Sequence, residues 1–448
     1  MKKLILLFAL IFSACFNADN VKLLNTDEFK ARLNSDYLII DTRIDSYYNG
    51  FSEDGAKNGG HIKGALNISA LSMDFVENKK FEEYFKGKGI TKDKKLVFYG
   101  SNLDEIKKVS SEFLARGYKG EIYADFIDYA NNNDLVKLKN YQLAVYPKWL
   151  NDLMQGKKVE SFDGKDFMVF EVSWGENSDE YSEHIKGAYH FNTDLIENAP
   201  VWNLSDAKTL ENNLLNLGIT SEKTIILYSK NQMAALRVFF ALKYAGVKDV
   251  RFLNGGLYSW QEAGFSIEKT PNIPNKESDF KAIIPANANI NISMPDDIKN
   301  YKGDLKLVSI RAWDEFIGKI SGYDYIPKSG EPKGAIWGFA GTNSSNVADY
   351  YDPDGTLRNP YEIYELWQSQ GINKNDNLAF YCGTGWRASV AWFIALLDGW
   401  ENIYVYDGGW NAWQMDESLE VQKNLDLVKP DSKNDYGAVF KEGASCKS

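Results

Sequence analysis

LAFYCGTGWRASVAW, residues 378–392, decides how this chain is read. An apolar run, Leu378 to Tyr381, ends on Cys382. Gly383, Thr384 and Gly385 follow, then Trp386, Arg387 and a run of helix-forming residues. Short apolar runs bounded by polar residues are the pattern of strands buried on both faces. The stretch therefore predicts a strand, a glycine-rich turn and a helix, with a thiol at the turn.

The same plan occurs twice more. LVFYG (96–100) and IILYS (225–229) match LAFYC, and each is followed by a helical run, KKVSSEFLARGY, ALRVFFALKYAG or ASVAWFIALLDG. A further strand then closes each unit: EIYADF, VRFLNGG and IYVYDGG. One constant interval separates Gly100 from Asp125, Ser229 from Asn254 and Cys382 from Asp407. Upstream, His61-Ile62-Lys63-Gly64-Ala65 recurs as His184-Ile185-Lys186-Gly187-Ala188, and more faintly as Pro332-Lys333-Gly334-Ala335. Before each lies another strand: LIIDTR, FMVFEVS and LKLVSIR. Repetition of strand, turn, strand, loop, helix and strand gives βαβ units on largely parallel sheets. The expected fold class is α/β, three tandem domains each with a mainly parallel central sheet flanked by helices. Their bounds are read as 21–145, 146–272 and 288–424, with a proline-marked linker at 269–290 and a polar tail at 425–448.

A cysteine nucleophile reacts as its thiolate, and a free thiol with pKa near ~8.5 is mostly protonated at neutral pH. The turn supplies what favours the charged form. Gly383 and Gly385 are expected to take backbone conformations closed to other residues, so that successive N–H groups curl into an anion nest. The following helix adds the positive end of its dipole, and Arg387 a permanent cation that holds either the thiolate or an anionic donor. Thr384 completes this cradle, and Trp386 walls the pocket or docks as a water-excluding aromatic.

D-x-R, then GHIxGA, then a strand ending on cysteine, then GG-x-x-x-W resembles the rhodanese family. Asp41-Thr42-Arg43, Gly60 to Ala65, Gly255-Gly256 with Trp260, and Gly408-Gly409 with Trp413 carry the resemblance. It implies sulfurtransferase activity without a cofactor, through a persulfide on Cys382. The three-domain layout resembles the exported, periplasmic thiosulfate sulfurtransferases of that family. Gly100 and Ser229 stand where Cys382 stands, so the first two domains are expected to be inactive. The third departs elsewhere, with Ser309 in place of Asp41 and Glu331-Pro332 in place of a His-Ile pair. By the same correspondence Arg311 and Glu315 are candidate substrate-binding residues, with Arg311 either holding an anionic donor or pairing with a neighbouring carboxylate. His61 and His184 are read as structural.

The implied partners are a small anionic sulfur donor and a thiol, dithiol or cyanide acceptor. Thiosulfate is the expected donor, although a glycine at position 383 accompanies 3-mercaptopyruvate use in related two-domain enzymes. A phosphatase would need one more residue between Cys382 and its arginine, and a non-catalytic sulfur or polysulfide carrier is the alternative of a different class.

The 448 residues include 44% hydrophobic and 25% charged, the balance of a packed chain. A net charge of −11 argues against nucleic acid as a partner. Three histidines and three cysteines, scattered, imply no metal site, and Asp352-Pro-Asp-Gly355 reads as a turn rather than a calcium loop. The N-terminus, MKKLILLFALIFSACFN, has a basic start, an apolar run too short to span a bilayer and a small-residue junction before Cys15. Residues 1–20 are read as a lipoprotein-type signal and tether, with Cys15 as the lipidation site. The expected location is export to the periplasm with a lipid anchor in a membrane. Cys446, in the polar tail, is read as a stray thiol.

Overall fold

The computed structural model describes residues 21–432. Cys15, the signal reading and Cys446 lie outside them. Three parallel sheets organise the chain, each built from the repeat seen in the sequence. The third has the order Asn291–Ile292, Ile403–Tyr406, Asn377–Tyr381, Leu305–Ser309, Ile336–Trp337. The second repeats it with Ala144–Val145, Asp249–Leu253, Thr224–Tyr228, Phe167–Ser173 and Tyr189–Asn192. In the first, Lys119–Tyr123, Lys95–Tyr99, Tyr37–Asp41 and Leu66–Asn67 form the sheet, and Leu23 bridges in parallel to Ile122 at its edge.

Register aligns the three copies. Asp41 lies opposite Tyr99, Glu171 opposite Tyr228, and Ser309 opposite Tyr381. The strand before each loop is central and buried on both faces, which is why its sequence is continuously apolar. The GA elements are tight turns, with Gly64, Gly187 and Gly334 at φ 81°, 83° and 84°. Two-residue antiparallel ladders anchor them in the later domains, His184–Ile185 on Ile267–Glu268 and Glu331–Pro332 on Val421–Gln422.

The helices after the second and third loops, Gln232–Ala245 and Trp386–Leu397, pack against each other between their sheets. Phe239 meets Phe393 at 4.8 Å and Phe240 meets Trp392 at 5.1 Å between ring centroids. A helix apolar on all sides has no face to give to water, so this pairing explains their composition. Burying each such ring contributes roughly 1.5–3 kcal/mol. The linker is not loose: Phe280 is buried and its carbonyl accepts from Ser221 N. Nor is all of the tail, since Ser432 O accepts from Arg358 Nη1 at 3.2 Å. Among the described residues no helix is long and apolar enough to cross a membrane.

Candidate active site

Cys382, the one cysteine among the described residues, sits at the end of the central strand of the third sheet and is 1% exposed. The helix that follows starts differently from its two counterparts. In the first domain Asn102 Oδ1 accepts from Asp104 N and Glu105 N, and in the second Asn231 Oδ1 accepts from Met233 N. These are ordinary side-chain caps. The third helix begins at Gly385, φ 95°, with no side-chain cap. Its first N–H groups are therefore left for something other than the chain, and orphan N–H groups at a helix start favour an anion.

A closed circuit of hydrogen bonds surrounds the thiol. Tyr381, just before Cys382, donates through its hydroxyl to Glu331. Glu331 Oε1 accepts from Arg311 Nη1 at 2.7 Å, and Arg311 Nε reaches Glu315 Oε1 at 3.3 Å. Arg387 grips Glu315 with both terminal nitrogens, at 2.8 and 3.0 Å, and its Nη2 donates to Tyr323 Oη at 2.7 Å. Tyr323 Oη in turn accepts from Gly383 N, just after Cys382, at 3.2 Å.

This circuit takes the second of the two readings of Arg311, pairing with a neighbouring carboxylate, and departs from the expectation that Glu315 binds substrate. Arg311 and Glu315 are fully buried and saturated: Arg311 also donates to Gly330 O and Ser321 O, and Glu315 also accepts from Ala312 N. They brace the loop and present nothing to a donor. Arg387 is likewise 1% exposed; its two terminal nitrogens are committed to Glu315, Tyr323 and Asn343 O, which brace the loop, while its Nε has no hydrogen-bond partner. Burial works to raise the Glu315 pKa, but the Arg387 charge and hydrogen bonds outweigh it and hold the carboxyl below its ordinary range.

The glycines also divide their roles. Gly385 has the left-handed backbone expected of it, whereas Gly383 does not. A side chain at Gly383 would run into the Tyr323 ring, so that glycine is there for space. Gly409 closes the loop from below at φ 51°, where a Cβ would lie 2.6 Å from the carbonyl oxygens of Cys382 and Gly383. Trp410 N and Asn411 N donate to those same oxygens, at 2.8 and 3.1 Å. The paired glycines of the repeat thus position the loop carbonyls.

The third domain's departures from the repeat compensate one another. In the first domain Asp41 takes Arg43 and the Tyr99 hydroxyl, while Tyr99 Oη accepts from Ile62 N. Pro332 replaces that isoleucine and has no N–H, and Ser309 replaces the aspartate. Glu331, at the His61 position, supplies the missing carboxylate to both the arginine and the tyrosine. Burial pushes its pKa up to about 7 against the pull of Arg311. The second domain has Ser173 at the arginine position, and burial pushes Glu171 up to about 8 against the Ser173 hydrogen bond and the Lys230 charge. His61 and His184 are structural: each stacks on a tyrosine, Tyr48 or Tyr181, whose carbonyl lies 2.8 Å from its Nδ1. Gly355 N donates to Asp352 O, the turn expected there.

Sequence reasoning missed Tyr323, the circuit role of Glu331, and a contact from another domain, Trp386 Nε1 to Glu197 Oε1 at 2.6 Å. Tyr325, half exposed, lies beside Thr384. Two cavities, of about 870 and 580 Å³, lie at the borders of the first domain, and neither is lined by the 382–387 loop. Among the described residues no group of histidine, cysteine or carboxylate side chains is arranged to hold a metal ion.

Comparison with known proteins agrees with this plan. The rhodanese-like domain model matches residues 25–124, 146–263 and 294–416. The chain is 38% identical to the thiosulfate sulfurtransferase YnjE of Escherichia coli over 386 residues, 85% of this chain and 88% of that one. It is 30% identical to the sulfur carrier protein TtuD of Thermus thermophilus over 44% of this chain and 70% of that one. Among solved structures, an anaerobic ergothioneine biosynthesis enzyme from Chlorobium limicola, bound to trimethyl histidine, superposes with TM-score 0.86 at 33% identity, covering 90% of this chain and 99% of that one. A cysteine-persulfide form of EanB with ergothioneine, carrying a tyrosine-to-phenylalanine substitution, superposes with TM-score 0.86 at 33% identity, over 90% of this chain and all of that one.

Proposed function

The chain belongs to the rhodanese family and is a sulfurtransferase, and from that premise we propose that it moves sulfane sulfur from thiosulfate to a thiophilic acceptor through a persulfide on Cys382. The observation that carries this reading is the uncapped helix start at Gly385 beside the lone described thiol. In the first step the Cys382 thiolate attacks the outer sulfur of thiosulfate. The sulfur–sulfur bond of the donor breaks, sulfite leaves with the electron pair, and Cys382–S–S⁻ remains. In the second, a thiolate, dithiol or cyanide attacks the outer sulfur and releases the Cys382 thiolate. The free N–H groups of the loop and helix hold the negative charge in both resting forms. Because Cys382 is 1% exposed, the donor reaches it only as neighbouring side chains move aside.

Gly383 no longer argues for 3-mercaptopyruvate, since packing against Tyr323 accounts for it. A second acceptor class has an observation in its favour. Tyr323 precedes Cys382 by the interval that separates the substituted tyrosine of EanB from its persulfide cysteine. Thr384 follows Cys382 by the interval at which a threonine is substituted in the hercynine complexes of EanB. A trimethylated histidine is therefore the acceptor to test beside thiols and cyanide.

The deciding experiment loads the protein with thiosulfate or 3-mercaptopyruvate, locates added sulfur by mass spectrometry, and offers each acceptor in turn. Sulfur on Cys382 with turnover from thiosulfate supports the reading. Loading without turnover on any acceptor leaves a carrier. An exported, lipid-anchored location belongs to the same proposal, supported by the sequence from Lys2 to Cys15. Loss of detergent-phase partitioning in Cys15→Ala tests it.

A further inference from the structure

The second domain has no thiol, yet it reaches into the loop of the third. Its helix Gln232–Ala245 carries one arginine within an apolar run, and Arg237 is fully buried. Arg237 Nε donates to Glu197 Oε2 at 2.9 Å, and Nη2 meets Asp407 Oδ1 at 2.6 Å. Its remaining nitrogen, Nη1, has no hydrogen-bond partner and lies 2.8 Å from where a Cβ on Gly385 would be. The other oxygen of Glu197 takes the Trp386 indole, and the other oxygen of Asp407 takes Leu204 N at 2.7 Å. Two consecutive residues of the loop, Gly385 and Trp386, are thus flanked by one ionic trio, two of whose members come from the second domain.

The converse contact shows that docking alone does not require these charges. The third domain lends an equivalent turn to the second: Leu357 N donates to Asn254 Oδ1 at 2.8 Å, as Leu204 N does to Asp407. Gln232, at the position of Gly385, bonds to Gly355 O. There the group matching Asp407 is a neutral asparagine, and Val390 stands at the position of Arg237. Burying three charged groups carries a desolvation penalty that neutral partners avoid. The charged version occurs only on the side that faces the thiol.

We infer that Arg237 is a positioning residue for sulfur transfer at Cys382, holding Gly385 and Trp386 through Glu197 and Asp407 so that the uncapped N–H groups stay aimed at the sulfur. The inference rests on the persulfide reading of Cys382. It gives the second domain a task, which is to set the shape of its neighbour's loop.

The test uses the full chain and the charge-balanced variant Arg237→Gln/Asp407→Asn, which leaves no arginine or aspartate buried alone; burial, which pushes the Glu197 pKa up to about 7, lets that carboxyl stay neutral. Sulfur loading from thiosulfate should fall at least tenfold in its limiting rate with KM little changed, because Arg237 does not bind the donor. Arg237→Lys should recover part of that loss. Amide hydrogen exchange over residues 383–387 should rise at least tenfold while that of helix Gln232–Ala245 stays the same. If the double variant does not fold, Glu197→Gln reads the same two quantities with smaller shifts. Unchanged loading and exchange would overturn the inference, as would a loss confined to KM. If the wild-type chain takes up no sulfur, the persulfide reading fails, and loop exchange alone then decides whether Arg237 positions the loop.

Discussion

The loops at residues 229–233 and 382–387 occupy the same place in the same fold, and they use their backbone N–H groups in opposite ways. In the second domain Ser229 Oγ donates to Asn231 O at 2.5 Å and accepts from Ala235 N at 3.3 Å. Asn231 Oδ1 takes Met233 N. The loop satisfies itself. In the third domain the corresponding side-chain cap is gone, the helix starts on Gly385, and stability comes instead from beneath, through the Tyr381–Glu331–Arg311–Glu315–Arg387–Tyr323 circuit. Holding a loop open to a ligand removes its own caps, so the bracing has to be moved to side chains that do not face the ligand. The difference teaches that the chemistry depends on more than the cysteine.

The comparison breaks most completely at the sulfur. Cys382→Ser makes the third loop resemble the second in its reactive atom, and a hydroxyl neither ionises at neutral pH nor forms a persulfide. Sulfur transfer from every donor should fall below detection with the melting temperature little changed. Activity surviving in this variant, measured as thiocyanate formed from cyanide, would remove Cys382 from the mechanism.

The bracing gives the next largest effect. Glu315→Gln leaves Arg311 with Glu331 and leaves Arg387 with no carboxylate partner. Removing one partner of a buried ion pair costs about 3–5 kcal/mol. Denaturant unfolding should show a loss of that order, and sulfur loading should decline with it. Unchanged stability would mean that Arg387 finds its partner elsewhere and that the circuit is ornamental.

Much of this was legible in the sequence. The repeat fixes the sheets because alternation of apolar runs with helical stretches leaves few topologies, and Cys382 stands out because glycine-rich turns after buried strands are where a reactive group is exposed to a ligand. What could not be read was which charge faces which. Arg311, Glu315 and Arg387 look like donor-binding residues in one dimension, and only packing shows that they neutralise one another. Tyr323 lies in an irregular, polar segment with no periodicity to announce it. Glu331 had a signal, its departure from histidine together with the proline after it. Arg237 had one too, as a lone arginine in an apolar helix, but its partners come from two domains.

A smaller effect follows from the relocated carboxylate. Glu331, raised to about 7, keeps its proton in the folded state between about pH 4.5 and 7, whereas the unfolded chain has lost it. Its contribution to stability is therefore fully present below about pH 4.5 and is lost as pH rises to about 7. Glu197 and Glu171, raised to about 7 and about 8, act in the same direction. Glu331→Gln should flatten the fall in unfolding free energy over that window by up to about 1.4 kcal/mol per pH unit, the value of one proton. A slope identical to wild type would show that Glu331 stays ionised on Arg311.

The smallest effect expected is none, and it tests the contrast between the loops directly. Ser229→Cys places a thiol at the end of an equivalent central strand, after an equivalent tyrosine and before an equivalent helix. If the cysteine were sufficient, each chain would then take up two sulfur atoms. The second loop, however, has Asn231 closing its helix start and Lys230 and Gln232 where the third has glycines. The N–H groups that would stabilise a persulfide anion are already engaged. Sulfur loading of Ser229→Cys should remain at one per chain, and Ser229→Cys/Cys382→Ser should take up none. Adding Asn231→Gly to that double variant releases the cap, and slow loading that appears only then would locate the missing requirement in the helix start. Two sulfur atoms per chain in Ser229→Cys alone would show that the N–H groups of the second loop are available after all, and the distinction between the two loops would reduce to one atom.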